Sequence, residues 1–196
     1  ANGTSVRVMR VVERVVLYKD TKFYAAFPGL CRTSSGSILL AFRQARDSRW
    51  ASAARPGLDL EGFATHLDPR SRLVTLELDQ ALRPIRPLRG VSVDPEVADQ
   101  DATLFCLPGG DLLLFSYAWY PMPAPDLELV RRSDGGPADR DGRPQAFYFV
   151  PWGATVRRSE NGGLDWSECE YLPAIPGGRP TVPGARPVSI SAVRGR

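Results

Sequence analysis

Residues 27–46, "FPGLCRTSSGSILLAFRQAR", and residues 101–120, "DATLFCLPGGDLLLFSYAWY", follow one pattern. Each has an apolar stretch with a cysteine, a turn ending in glycine, and a leucine run closed by phenylalanine. Gly36 aligns with Gly110, an offset of 110 − 36 = 74 residues. A third copy opens in "ARPVSISAVRGR" (185–196), with Val188–Val193 as its first stretch and Gly195 at the turn. A unit of this size, repeated, is a supersecondary element that buries its apolar face only by stacking against its neighbours.

The unit reads as β-structure. Glycine and proline, 18 each, punctuate short runs of β-branched and aromatic residues. No window keeps a capped 3.6-residue apolar period, so helix is a minor component. Each unit also holds a second hairpin. In the first, "GFATHLDPRSRLVTLEL" (62–78) reads as two strands around Asp68-Pro69-Arg70-Ser71, where proline presets φ for a type I turn. In the second, "AFYFVPWGATVRRS" leads through a polar turn into "DWSECEYLP". Four antiparallel strands per unit make a β-propeller blade. The expected fold is therefore all-β: one incomplete propeller domain over 1–196, with a blade at 23–90, a blade at 99–175 and the start of the next at 186–196. "VRVMRVVERVVLY" (6–18) reads as a preceding edge strand.

The turn of the second unit, "RRSENGGLDWSE" (157–168), has a regular spacing of its own. An Asx side chain can accept hydrogen bonds from backbone N–H groups just ahead of it and hold an irregular turn. A glycine two places on takes positive φ without a Cβ clash, and the tryptophan supplies a large apolar cover. This stretch resembles the Asp-box, or bacterial neuraminidase repeat, Ser/Thr-x-Asp-x-Gly-x-Thr-Trp/Phe. The matching residues are Ser159, Asn161 in the Asp place, Gly163, Asp165 in the Thr place, and Trp166. Together with "GSILLAFRQAR" and "DATLFCLPGGDLLLFSY", it makes nearly the whole chain similar to the sialidase superfamily of six-bladed propellers. In that family the box is structural and lies away from the substrate funnel.

The resemblance implies an exo-α-sialidase-like glycoside hydrolase acting on the terminal sugars of glycans. Arginines would grip the sugar carboxylate, for which a bidentate guanidinium is suited. An Asp would act as acid/base beside a tyrosine nucleophile, a departure from the usual pair of carboxylates. Carried over residue by residue, Arg46 matches the arginine that closes the Leu-Leu-Ala-Phe strand. Asp47 is the nearest acid/base candidate, Asp101 fits the funnel-facing position of the second blade, and Arg43 joins them as a substrate-binding residue. The family's first arginine is missing, because Ala26 and Phe27 stand before Pro28. The further arginines and the Tyr–Glu pair belong to later blades. That departure favours an alternative, a non-catalytic Asp-box propeller binding glycan or protein; a different propeller hydrolase is a third reading. Arg43 and Arg46 also read as solvated charges at a strand end, and Asp47 and Asp101 as loop and turn residues.

Other classes are disfavoured. The longest apolar runs, such as Ile38–Phe42, fall far short of the ~20 residues that cross a bilayer, so no membrane partner is expected. The N-terminal "ANGTSVRVMR" lacks the basic and then apolar pattern of a signal peptide, which a mature or truncated secreted chain would lack as well, so secretion is not excluded. The 25 basic residues are scattered among 22 acids instead of clustering on one element, which argues against nucleic acid. Cys31, Cys106 and Cys169 form no CxxC pair, and His66 is the lone histidine, so neither a metal site nor another cofactor is expected. The cysteines read as buried thiols in strands.

Overall fold

The computed structural model describes residues 13–47, 68–123 and 147–173. These residues form two antiparallel sheets and contain no helix. Among the described residues, therefore, no helix is long and apolar enough to cross a membrane. The expected strand at 186–196 and the first half of the expected 62–78 hairpin lie outside the described residues.

The first sheet has the order β1 (Phe23–Arg32), β2 (Ile38–Arg46), β3 (Arg72–Leu78), β4 (Arg89–Gly90). In the second, β5 (Ala98–Asp99) and β6 (Thr103–Cys106) both pair with β7 (Leu112–Pro123), followed by β8 (Phe147–Ser159) and β9 (Glu170–Tyr171). β5 and β6 are two halves of one strand interrupted at 100–102. β1 carries the same irregularity as a bulge between Ala26 and Gly29. The repeat extends to register. Ala25 pairs with Gln44 as Asp99 pairs with Ala118, and Gly29 pairs with Ala41 as Thr103 pairs with Phe115. Phe27 and Asp101 thus hold equivalent places, and Phe27 takes a left-handed φ of 53° there.

In the described residues the outer hairpin of the first sheet is β3–β4: β3 has β2 along one edge and β4 along the other, with Leu78 bridging to Pro84. Its turn is built on Asp79, whose Oδ1 accepts the N–H groups of Ala81 and Arg83. The described part of 6–18, Glu13–Tyr18, is not a strand; Leu17 and Tyr18 lie against the outer face of the first sheet. Consecutive Val15 and Val16, both exposed, cannot alternate between a buried and a solvent face as a strand requires.

Strand alternation decides the packing. Leu39, Ala41 and Leu73 of the first sheet meet Leu104, Leu112 and Leu114 of the second, with Val91 and Ala102, in one cluster. Each fully buried leucine is worth roughly 1.5–3 kcal/mol. Leu40, Phe42, Val74, Leu76 and Leu78 form a second cluster on the opposite face of the first sheet. The inner strands approach closely at Gly29, where a Cβ would overlap the Ala102 carbonyl oxygen.

Candidate functional site

Register places the candidate residues at one end of the molecule. Phe23, Arg46 and Arg72 mark that end of the first sheet, and Asp99 and Ala118 mark it in the second. At the head of the first sheet, Thr21, Lys22, Phe23, Gln44, Arg46, Asp47, Asp68, Arg70 and Arg72 surround a cavity of about 680 Å³. That volume is in the range of small-molecule sites. Arg46 and Asp47 therefore share one cavity, and Asp101 is not among its walls. The organiser is Asp68, which the sequence marked only as a turn residue. Its carboxylate accepts the N–H groups of Arg46 (2.8 Å) and Arg70 (2.9 Å). The Asp47 N–H donates to the Lys22 carbonyl, tying the end of β2 to the chain entering β1. Arg72 donates twice to Gln44 Oε1 and lies over the Phe23 ring. Among the described residues of its walls, four cations stand against two carboxylates, a balance suited to an anion.

Arg43 lies on the other face of β2. As a charge at a strand end it reads as solvated; instead its side chain is 0% exposed and its guanidinium sits 5.8 Å from the centre of the Phe27 ring. Burial pulls its pKa down to about 10, against the opposing charges of Asp68, Tyr24 and Asp101. Asp101 itself is exposed. It also lies near Tyr117, whose phenol is pushed up to about 12 by burial first and by Asp101 second. The charge of Asp101 is thus felt at Arg43 across the joint between the sheets. A ligand reaches Arg43 only through the groups packed on it.

The joint contains polar residues that sequence reasoning missed. Ser71 Oγ donates to the Asp99 carbonyl (2.7 Å), and the Asp99 N–H donates back to the Ser71 carbonyl (3.2 Å). Arg157 Nη2 donates to both Asp99 carboxylate oxygens at 3.1 Å, with Arg157 0% and Asp99 1% exposed. Burial pushes the Asp99 carboxyl up, and Arg157 opposes that without cancelling it. A signal existed in the alternation of β8, since Arg157 falls on the buried phase with Thr155 and Ser159.

The 157–168 turn lies at the opposite end, because Ser159 pairs with Leu112. Asn161 Oδ1 accepts from the Asp165 N–H (2.9 Å) and from the Ser159 hydroxyl (3.0 Å), and Ser159 Oγ accepts from the Gly163 N–H (2.8 Å). Trp166 covers more than the hairpin from which it projects. It packs on the cluster shared by both sheets, because the turn reaches back over the first sheet. The cysteines are free and half-buried; Cys31 and Cys106 are in strands and Cys169 is not. Among the described residues no three of His, Cys, Asp and Glu gather as metal ligands would.

The chain matches no protein-family model and no curated protein. It is similar to a solved structure, the crystal structure of a protein of unknown function from Dyadobacter fermentans DSM 18053. The two share 27% identity with a TM-score of 0.69. The match covers 91% of this chain and 44% of the other, so the chain spans less than half the length of that relative.

Proposed function

We propose that this chain is part of a sialidase-type propeller that binds and hydrolyses terminal sugars of glycans. The reading rests on one observation. Arg46 and Asp47, the residues that the resemblance assigns to substrate grip and acid/base work, line the same cavity with Lys22, Arg70 and Arg72. A guanidinium beside a carboxylate at a concave strand end can hold an acidic sugar and deliver a proton to its leaving oxygen. The hydrogen bonds of Ser159, Asn161 and Gly163, at the far end of the sheets, support the Asp-box reading of that turn. The binding-module reading is favoured by one separate feature: Ala26 and Phe27 stand where the family's first arginine would be.

A fluorogenic sialoside separates the two. Turnover that is lost in Asp47→Ala supports the hydrolase. Binding of sialyllactose without turnover, weakened by Arg46→Ala, supports the binding module. Neither turnover nor binding removes both.

A further inference from the structure

We propose that Ser71 is a positioning residue for the candidate site, fixing the head of the second sheet, with Asp101, against Arg46 and Asp47 on the first. Four observations carry it. Ser71 and Asp99 exchange two hydrogen bonds across the joint. The Ser71 N–H closes the turn by donating to the Asp68 carbonyl (3.0 Å). The Asp68 carboxylate holds the Arg46 N–H. The Asp99 side chain is anchored by buried Arg157. A continuous hydrogen-bonded path therefore runs from Arg46 through Asp68 and Ser71 to Asp99, two residues from Asp101.

The directionality of these bonds is what gives Ser71 its role. The cluster of Leu39, Leu73, Leu104 and Leu114 holds the sheets together, but apolar contact is non-directional and tolerates small sliding. Hydrogen bonds fix distance and angle. At the site end, the pair between Ser71 and Asp99 sets the register of one strand head on the other. Ser71 is 1% exposed and is not among the cavity walls, so it acts through its neighbours.

The effect on ligand binding rests on the carbohydrate reading; the coupling of the two strand heads does not. Backbone hydrogen exchange of the chain with Ser71→Ala tests the coupling. Amides from Asp99 to Ala102 and those of Arg46 and Asp47 should exchange about tenfold faster, while Leu114 in the strand centre stays protected. Ser71→Thr, which keeps the hydroxyl, should restore the slow rates. Asp68→Asn approaches the path from the other side: the Arg46 and Arg70 N–H groups are held by different oxygens of the carboxylate, and the amide puts an N–H donor in place of one of them, so Arg46, Asp47 and Asp99 should again speed up together. Acceleration confined to Asp99 in Ser71→Ala, or absent at Asp99 in Asp68→Asn, overturns the proposal. Sialyllactose affinity should fall about three- to tenfold in Ser71→Ala and recover in Ser71→Thr. Unchanged affinity in Ser71→Ala, where the wild type binds, also overturns it. If the wild type does not bind sialyllactose, the sialoside reading falls and the exchange pattern alone decides the role of Ser71.

Discussion

Gly163, in the turn after β8, lies so close to Leu39 of β2 that a Cβ on it would come within 2.9 Å of the leucine Cδ2. The same turn is tied to the first sheet's side of the joint by Arg89, whose Nη1 donates to the Leu164 carbonyl, and by Ser92, whose Oγ donates to the Ser167 carbonyl. The turn therefore does more than close its own hairpin. It clasps the two sheets at the end opposite the cavity, as Ser71 and Asp99 join them at the near end.

Gly163→Ala should lose stability for two separable reasons. The residue has a φ of +85°, which costs a side chain about 1–2 kcal/mol, and the overlap with Leu39 adds about 1–3 kcal/mol. Urea unfolding measures the sum. Adding Leu39→Ala to Gly163→Ala should show favourable coupling by relieving the overlap, and the backbone part should remain. Additive losses in the double-mutant cycle would show that Gly163 does not bear on Leu39.

Trp166→Ala should destabilise the chain by about 2–4 kcal/mol, toward the lower side for an aromatic because the ring is half-buried. Where the wild type binds sialyllactose, its affinity should be unchanged, since Trp166 is at the far end from Arg46 and Asp47. A loss of affinity with little loss of stability would move the ligand to the wrong end of the molecule.

What could be read from sequence follows the range of the interactions. The hairpins at 27–46 and 101–120 could be read because their alternation and their glycine turns at Gly36 and Gly110 are local. So could the Ser159–Asn161–Gly163 turn, whose bonds span four residues or fewer. β4 could not, because two exposed residues, Arg89 and Gly90, carry no alternation. The buried Arg43 and Arg157 were hidden too. Arginine is normally solvated, and the carboxylate that pairs with Arg157 is 58 residues away. Likewise Ser71 and Asp99 are 28 residues apart, so their pairing exists only once the sheets have met.

The Asp79 turn gives a pH-dependent signature. Its carboxyl is held below the ordinary value of 3.8, first by the backbone N–H of Arg83 and then by the Arg83 side chain and the Ala81 N–H. A depressed folded pKa means that this stabilisation is complete above the unfolded value and fades as pH falls through the folded one. Asp79→Ala should therefore lower the urea midpoint at neutral pH, and the gap to wild type should narrow below about pH 4. A gap that stays constant into the acid range would mean that the charge on Asp79 contributes nothing to the β3–β4 hairpin.

Arg157→Leu should cost about 3–5 kcal/mol, because it leaves the Asp99 carboxylate buried without its cation. Asp99 already has a folded pKa raised by burial, so the native state holds its proton to higher pH than the unfolded chain does. Stability linked to this group therefore falls as pH rises from the unfolded value through the folded one. In Arg157→Leu the opposing charge is gone, the folded value rises further, and the deficit should shrink as the pH is lowered and Asp99 takes up its proton. Asp99→Leu combined with Arg157→Leu should recover much of the stability, since two apolar side chains can replace a buried pair at little net cost. That double variant should still disturb the site, because the anchor two residues from Asp101 would be lost. Urea unfolding between about pH 4 and 8 checks the first part, and backbone exchange at Asp101 and Ala102 checks the second. A deficit independent of pH, or one that the double variant leaves untouched, would show that the pair does not bear on the joint.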